Sequence, residues 1–270
     1  MYINVYFMEK ELIIIPDVHG REFWKKAKEY INQGVKTIFL GDYLDPYSFE
    51  GISEEDAVAN FEDIIDTAKK HENVQLLIGN HDCGYFFDTM INNCRTIYNY
   101  FYDIRAMFRD NKELFKLAYT ENIGNIQFLF SHAGIDNRWL TENGKFMTGE
   151  TVVDKVNSIL DKENKIIIGL LGCVPQSRGG WTEYGSCVWQ DIHDWFSSFG
   201  EYNGIPNTTQ ICGHTMQLQY KQEHGQILYR PDKPFYNESG NVYCLDCQQC
   251  FFIDGEGDIR YLETEEVVNK

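Results

Sequence analysis

A short apolar run that ends at an aspartate and a histidine constrains the fold of this chain more than any other stretch. Residues 12–15 read Leu-Ile-Ile-Ile, and Asp17-Val18-His19-Gly20 follows almost at once. An apolar run of this length, rich in β-branched residues, is typical of a buried strand. Ligand sites of open α/β sheets lie beyond the carboxyl ends of the strands. The stretch therefore predicts a strand that places two metal-binding side chains at the edge of a sheet.

Two further apolar runs, at residues 36–40 and 74–78, are also followed by polar motifs. These motifs are Gly-Asp-Tyr-Leu-Asp, which contains Asp42 and Asp45, and Gly-Asn-His-Asp, which contains Asn80 and His81. Helical patterns over residues 22–33 and 57–68 separate the three runs. Right-handed crossovers bring the carboxyl ends of parallel strands to one edge of a sheet, so we expect these polar side chains to meet.

Two later strands, predicted at residues 126–130 and 210–212, add a histidine each. His132 lies in Ser-His-Ala-Gly and His214 in Gly-His-Thr. The polar side chains at the strand ends offer oxygen and nitrogen but no thiolate, a ligand set that suits manganese, iron or zinc. Two divalent ions are expected, because an aspartate such as Asp42 can bridge a pair about 3.5–4 Å apart.

Taken in order, these five motifs resemble the signature of the calcineurin-like metallophosphoesterases. They extend from Asp17 to Thr215, which is most of the chain. The last two motifs resemble the phosphoprotein-phosphatase branch, which includes Ser/Thr phosphatases and symmetrical diadenosine tetraphosphatases. The resemblance implies an α/β fold, a four-layer α/β/β/α sandwich with two mixed sheets flanked by helices.

The resemblance also implies a role for each polar residue. Asp17 and His19 would hold the first ion, and Asp42 would bridge the two. Asn80, His132 and His214 would hold the second ion. His81 would be the acid that protonates the leaving group, and Asp45 would orient His81. Asn80 would also contact the substrate phosphate. Phosphoester hydrolysis would then proceed by direct attack of a metal-bound hydroxide, without a phosphoenzyme.

One departure from the branch concerns substrate choice. An arginine usually follows Gly-Asp-x-x-Asp and clamps the phosphate, but this chain has Pro46 there. Arg178 matches the second arginine with which the branch binds the phosphate. An arginine from an aromatic-rich segment could replace the missing first one, and the candidates are Arg95, Arg105 and Arg109. A Ser/Thr-type protein phosphatase is the favoured function. A dinucleoside polyphosphate or nucleotide phosphohydrolase is the alternative, and a non-catalytic scaffold is least favoured because every ligand and the acid are present.

Composition narrows the class of partner. The formal net charge is -17, from 24 basic and 41 acidic residues, which argues against a nucleic-acid or anionic-membrane surface. Residues 1–11 have no basic segment before an apolar core, so we expect no signal peptide and a cytoplasmic protein. The expected substrate is a phosphoprotein or a nucleotide-type small molecule. No feature of the sequence predicts the oligomeric state.

We expect one domain over residues 1–270, with a helical, aromatic-rich segment at about residues 85–118. That segment either packs on the sheet or forms a cap that grips substrate, and packing is the favoured interpretation. The spacing of Cys244, Cys247 and Cys250 is compatible with a zinc site, but the flanking strands would turn these side chains to different faces. Reduced structural cysteines are therefore expected.

Overall fold

The structure is a computed structural model that describes residues 10–87, 95–195, 202–216, 218–223, 226–231, 233–237 and 241–268. The strands of this part of the chain are, in order, β1 Lys10–Ile15, β2 Lys36–Phe39, β3 Val74–Leu77, β4 Phe115–Lys116, β5 Ala118–Ile123, β6 Ile126–Ser131, β7 Thr209–Cys212, β8 Leu218–Glu223, β9 Gln226–Pro231, β10 Phe235–Tyr236, β11 Val242–Cys244, β12 Phe251–Asp254 and β13 Ile259–Tyr261. The α-helices are α1 Lys28–Asn32, α2 Glu54–Lys70, α3 Asn80–Phe86, α4 Phe101–Asp110, α5 Asn137–Asn143, α6 Val152–Asn157 and α7 Asn164–Leu171.

The strands form two mixed sheets and a separate hairpin. The first sheet has the order β13-β12-β1-β2-β3-β4, in which β1 to β4 are parallel and β12 runs antiparallel to β1. The second sheet has the order β10-β11-β7-β6-β5, with β6, β7 and β11 parallel. Strands β8 and β9 pair only with each other among the described strands. The predicted α/β sandwich of two mixed sheets flanked by helices is confirmed.

Alternating side chains of β1 explain why two layers of core form. Leu12 and Ile14 pack with Phe128 and Phe130 of the second sheet, and this cluster fills the space between the sheets. Ile13 and Ile15 point the other way and belong to the cluster that contains helical residues. Successive strand residues face opposite sides of a sheet, so a continuous apolar run is needed where both faces are covered.

Helix α2 shows how the sequence sets the helices around the first sheet. The Ser53 side chain accepts the Asp56 backbone N–H at 3.0 Å and caps the helix. The apolar residues Ala57, Phe61 and Ile64 recur at helical spacing and are buried. The predicted helix is therefore confirmed, and it fixes the chain between β2 and β3.

Three features differ from the sequence prediction. The segment at about residues 85–118, expected to be helical, also contains β4 and a non-helical stretch at residues 95–98. The helix expected over residues 22–33 begins as a 3₁₀ turn, Phe23–Ala27, before α1. Strand β5 is not predicted, because its Ala-Tyr-Thr-Glu-Asn-Ile sequence places polar side chains along a strand that, among the described strands, pairs only with β6. No helix among the described residues combines the length and the apolar character needed to span a bilayer.

The aromatic-rich segment contributes mainly to the core. Tyr85, Phe108 and Phe115 are buried and belong to the cluster beneath the helices. Tyr98 and Tyr102 remain 80% and 84% exposed. Residues 88–94 of the segment lie outside the described residues. The described rings thus follow the packing interpretation.

Candidate metal and active site

The loop after β1 brings Asp17 and His19 to the carboxyl edge of the first sheet. His19 has a φ of 46°, and its Nδ1–H donates to the Leu44 carbonyl at 2.9 Å. This hydrogen bond leaves Nε2 unprotonated and 3.5 Å from Asp42 Oδ2. Burial lowers the pKa of His19 to about 3, so the ring is neutral, as a metal ligand must be.

Asp42 stands at the centre of the arrangement and is held by the next motif. The Asp82 carboxylate accepts the backbone N–H groups of Asp42 at 2.7 Å and Gly79 at 2.8 Å. A Cβ atom on Gly79 would lie 2.1 Å from Asp42 Oδ1, so only glycine allows this approach. Asp42 itself has a φ of 54°. The two loops therefore fix the Asp42 carboxylate from both sides.

Three side chains from different strand ends converge beside Asp42. Asn80 Oδ1 lies 2.9 Å from His132 Nε2 and 2.8 Å from His214 Nδ1, and the two ring nitrogens are 3.2 Å apart. His132 donates Nδ1–H to the Leu40 carbonyl at 2.9 Å, which leaves a lone pair on Nε2. Burial lowers the pKa of both histidines, so the rings are neutral. Neutral nitrogen and oxygen atoms packed this closely could hold a cation.

Other buried atoms at this edge also fit a bound cation. Asp17 Oδ1 accepts the His214 backbone N–H at 2.8 Å, whereas Asp17 Oδ2 is buried and has no hydrogen-bond partner among the described residues. Burial, with the charges of Asp246 and Asp42 beside it, raises the pKa of Asp17 well above its usual value. A site that places carboxylates together in this way favours a positive ion.

Two groups of side chains could each hold an ion, and they share Asp42. One contains His19, Asp42 and His81, and the other Asp42, His132 and His214; within each group the ligand atoms lie within 4.8 Å of one another. The oxygen and nitrogen donors suit a borderline divalent ion such as manganese, iron or zinc. The residues present therefore fit the metals that the sequence motifs imply.

His81 belongs to the first group and also pairs with Asp45, which lies outside both groups. His81 Nδ1 lies 2.9 Å from Asp45 Oδ2, and the His81 ring meets the His19 ring edge-on with centroids 5.0 Å apart. Burial alone would lower the pKa of His81, but the Asp42 and Asp45 carboxylates outweigh it and raise the pKa. The arrangement can hold a proton on a ring that faces the cation site.

The arginines fall into two sets. Arg178 is paired with Asp191 at 2.9 Å and donates to Thr215 Oγ1 at 2.7 Å, next to His214. Arg95 donates Nε–H and Nη2–H to the Asp45 carbonyl, at 3.2 and 3.0 Å. Arg105 and Arg109 instead line a separate cavity of about 360 Å³ between α4 and α7. Of the three candidates for the missing clamp, the structure brings only Arg95 to the site.

The three cysteines with metal-like spacing are held apart. Cys244 Sγ lies 2.8 Å from the Gly213 carbonyl, and Cys250 Sγ lies 3.6 Å from the Phe23 carbonyl. Among the described residues, the groups able to hold a metal include neither these two nor Cys247. All three are buried free thiols. The described geometry supports the expectation of reduced structural cysteines.

Sequence reasoning did not assign roles to several residues of this region. Asp82 anchors the Asp42 loop, and Asp246 is a buried acid close enough to raise the pKa of Asp17. Tyr85 donates to Asp45. The position of Asp82 inside its motif was the available signal, whereas the other two depend on contacts between distant parts of the chain.

A two-sheet sandwich with two groups of potential metal ligands that share one aspartate is typical of metal-dependent hydrolases. The family model described as calcineurin-like phosphoesterase matches residues 11–218 of this sequence, and the chain belongs to that family. It is accordingly a metallophosphoesterase that hydrolyses phosphoesters with the help of divalent metal. A comparison with curated proteins returned no match.

Proposed function

We propose that the protein is a phosphomonoesterase that uses two divalent ions, most similar to the Ser/Thr protein phosphatases. The observation that carries the proposal is the sharing of Asp42 by two groups of potential ligand atoms, one of which includes the His81 that pairs with Asp45. The proposed ligands are Asp17, His19, Asp42, Asn80, His132 and His214. When bound, the ions would neutralise charge on the phosphoryl oxygens and make water a stronger nucleophile at neutral pH.

The chain's own side chains complete the reaction in this proposal. His81 donates its Nε2 proton to the leaving oxygen as the phosphorus–oxygen bond breaks, while Asp45 keeps the ring in place through Nδ1. Water supplies the new oxygen on phosphorus, and its proton leaves to solvent. His81 then regains its proton from solvent, so that no group of the protein is consumed.

We assign phosphate binding to Asn80 and to two arginines, Arg178 and Arg95, which lie on opposite sides of the two ligand groups. Arg178 lies on the His214 side, where Asp191 and Thr215 fix its guanidinium. Arg95 lies on the His81 side, with its guanidinium carbon 3.7 Å from the centre of the Tyr47 ring. Arg95 is exposed, so its cation is accessible to a substrate. Arg95 would replace the arginine that the phosphoprotein-phosphatase branch usually has at the position of Pro46.

A second candidate function is hydrolysis of nucleotides or dinucleoside polyphosphates. It is favoured by a short row of rings at the mouth of the site, where Tyr47 contacts both His19 and Phe49, with centroid distances of 5.2 and 5.3 Å. Phe49 is 69% exposed. A base could stack on it while its phosphates reach the cluster, because aromatic rings are sequence-tolerant stacking platforms.

A substrate panel tests both candidates. The protein would be loaded in turn with manganese, iron and zinc, then given a phosphopeptide, nucleotides, diadenosine tetraphosphate and a phosphodiester. We expect the phosphopeptide to have the highest kcat/KM. A higher kcat/KM for diadenosine tetraphosphate would favour the second candidate, and failure to cleave any of them would contradict both.

A further inference from the structure

Asp45 is held by more than His81. Its second carboxylate oxygen, Oδ1, accepts a hydrogen bond of 2.6 Å from the Tyr85 hydroxyl, and the Asp45 side chain is fully buried. We propose that Tyr85 is a positioning residue, which orients Asp45 so that Asp45 can orient His81. This inference rests on the proposed role of His81 as the acid.

Helix α3 explains how one carboxylate comes to be held at both ends. His81 and Tyr85 are four residues apart on Asn80–Phe86, so their side chains lie on one face, one turn apart. His81 binds Oδ2 and Tyr85 binds Oδ1. Because two positions of one rigid turn fix both oxygens, the plane of the carboxylate is set, and so is the direction in which His81 Nε2 points.

The direction of the Tyr85 hydrogen bond follows from its other contact. The backbone N–H of Ile97 donates to the Tyr85 hydroxyl oxygen at 2.7 Å, so the hydroxyl proton is directed at Asp45. Burial, together with the negative charge of Asp45, raises the pKa of Tyr85, which keeps the hydroxyl protonated. The Tyr85 hydroxyl is therefore the donor and Asp45 Oδ1 the acceptor of this hydrogen bond.

The backbone of Asp45 has an unusual conformation, and the described contacts of its carbonyl leave the carboxylate unrestrained. Asp45 has a φ of 60°, in the left-handed region that side chains other than glycine rarely adopt. Its carbonyl is fixed by Arg95, but that contact does not restrain the carboxylate. Without Tyr85, one buried oxygen would lose its donor and the carboxylate could rotate away from His81.

A purely structural role for Tyr85 predicts a different result, because its ring also packs in the core. The ring lies 5.6 Å from Phe101 and 6.5 Å from Phe108, centroid to centroid. If packing were its whole contribution, loss of the hydroxyl would lower stability and would affect all substrates alike. Positioning of the acid instead affects only reactions in which the leaving oxygen needs a proton.

The test uses Tyr85→Phe in the full chain, loaded with manganese, and aryl phosphates whose leaving groups differ in pKa. We expect phenyl phosphate to be cleaved about tenfold more slowly, since hydrogen bonds to charged groups contribute this order of effect. We expect 2,4-dinitrophenyl phosphate to change by less than about twofold, because its leaving group needs no acid. Metal content should match that of the wild type.

A matched variant and a second readout keep the test decisive. Tyr43 is another buried tyrosine, whose hydroxyl donates to the Leu77 carbonyl at 2.7 Å, and Tyr43→Phe should leave the leaving-group dependence unchanged. In the metal-free protein, the His81 Nδ1 proton should give a downfield NMR signal that broadens in Tyr85→Phe. An equal loss on both aryl phosphates, or no loss on either, would overturn the role of Tyr85 alone. If His81→Asn also slows the cleavage of both aryl phosphates by the same factor, the assignment of His81 as the acid would instead be overturned.

Discussion

The two sheets contribute unlike sets of side chains to the site. The first sheet delivers Asp17, Asp42 and Asp45, together with His81, from the ends of three neighbouring parallel strands. The second sheet delivers His132 and His214, two neutral imidazoles that are 82 positions apart in sequence. The first sheet therefore carries most of the negative charge of the site and the proton on His81. The second sheet offers neutral nitrogen atoms that could hold an ion, so damage to the two sides should have different chemical consequences.

The largest effect should come from Asp42, which belongs to both groups. Asp42→Asn keeps the size of the side chain but halves its oxygen ligands and removes its charge. We expect hydrolysis of aryl phosphates to fall about a thousandfold, because each bound ion supplies several kcal/mol of transition-state stabilisation. Asp63→Asn, at a half-buried aspartate of α2 that pairs with Lys28 away from the site, is the matched control. Unchanged turnover in Asp42→Asn would contradict the role of Asp42 as a shared ligand, and with it the contrast between the two sheets.

The second sheet is tested by His132→Asn. Loss of a ligand should weaken one ion by about a hundredfold or more, so metal analysis after supplementation should find one ion per chain instead of two. Rates should fall alike for good and poor leaving groups. Two retained ions in this variant would show that His132 is not a ligand.

The first sheet is tested by His81→Asn, which should keep both ions. We expect poor leaving groups to be released about a hundredfold more slowly, whereas good leaving groups should be affected little. Steady-state kinetics with a series of aryl phosphates measures this slope. Similar losses for every substrate, as expected for His132→Asn, would remove the distinction between the sheets.

A smaller effect is expected at the arginines that flank the cluster. Arg178→Ala should raise KM about tenfold, which is the cost of losing one hydrogen-bonded cation from a phosphate. Arg95→Ala should act in the same direction from the other side of the site. Arg109→Ala, in the separate cavity near α4, is the control and should leave KM unchanged. Equal KM values in all three variants and the wild type would contradict phosphate binding by either flank.

The smallest effect is expected at the cysteines. Cys247→Ser and Cys250→Ser should leave the metal content at the value of the wild type, because these thiols lie apart from the described ligand groups. A small loss of thermal stability is expected, since both are buried. Loss of one ion from either variant would reveal a ligand role and break the assignment of all metal binding to the strand ends.

The sequence predicted which side chains would meet because each one follows an apolar run directly. Asp17, Asp42 and Asn80 need only the topology of a parallel sheet to come together, and that topology obeys a strong handedness rule. The contact between Tyr85 and Asp45 joins residues 40 positions apart and has no periodic signal. The position of Arg95 beside Tyr47 likewise depends on how one loop folds over another. Local patterns thus predict the strand ends, whereas the groups that orient and surround them appear only in three dimensions.

Several candidate residues combine a chemical role with an unusual backbone. His19, Asp42, Asp45 and His214 all have positive φ angles, between 46° and 66°. Asparagine and aspartate tolerate this conformation far better than alanine or β-branched residues do. An alanine scan of these loops would therefore mix the loss of a ligand with a change in loop shape. Asparagine replacements separate the two, and substitutions chosen for chemical similarity alone would misjudge how replaceable each position is.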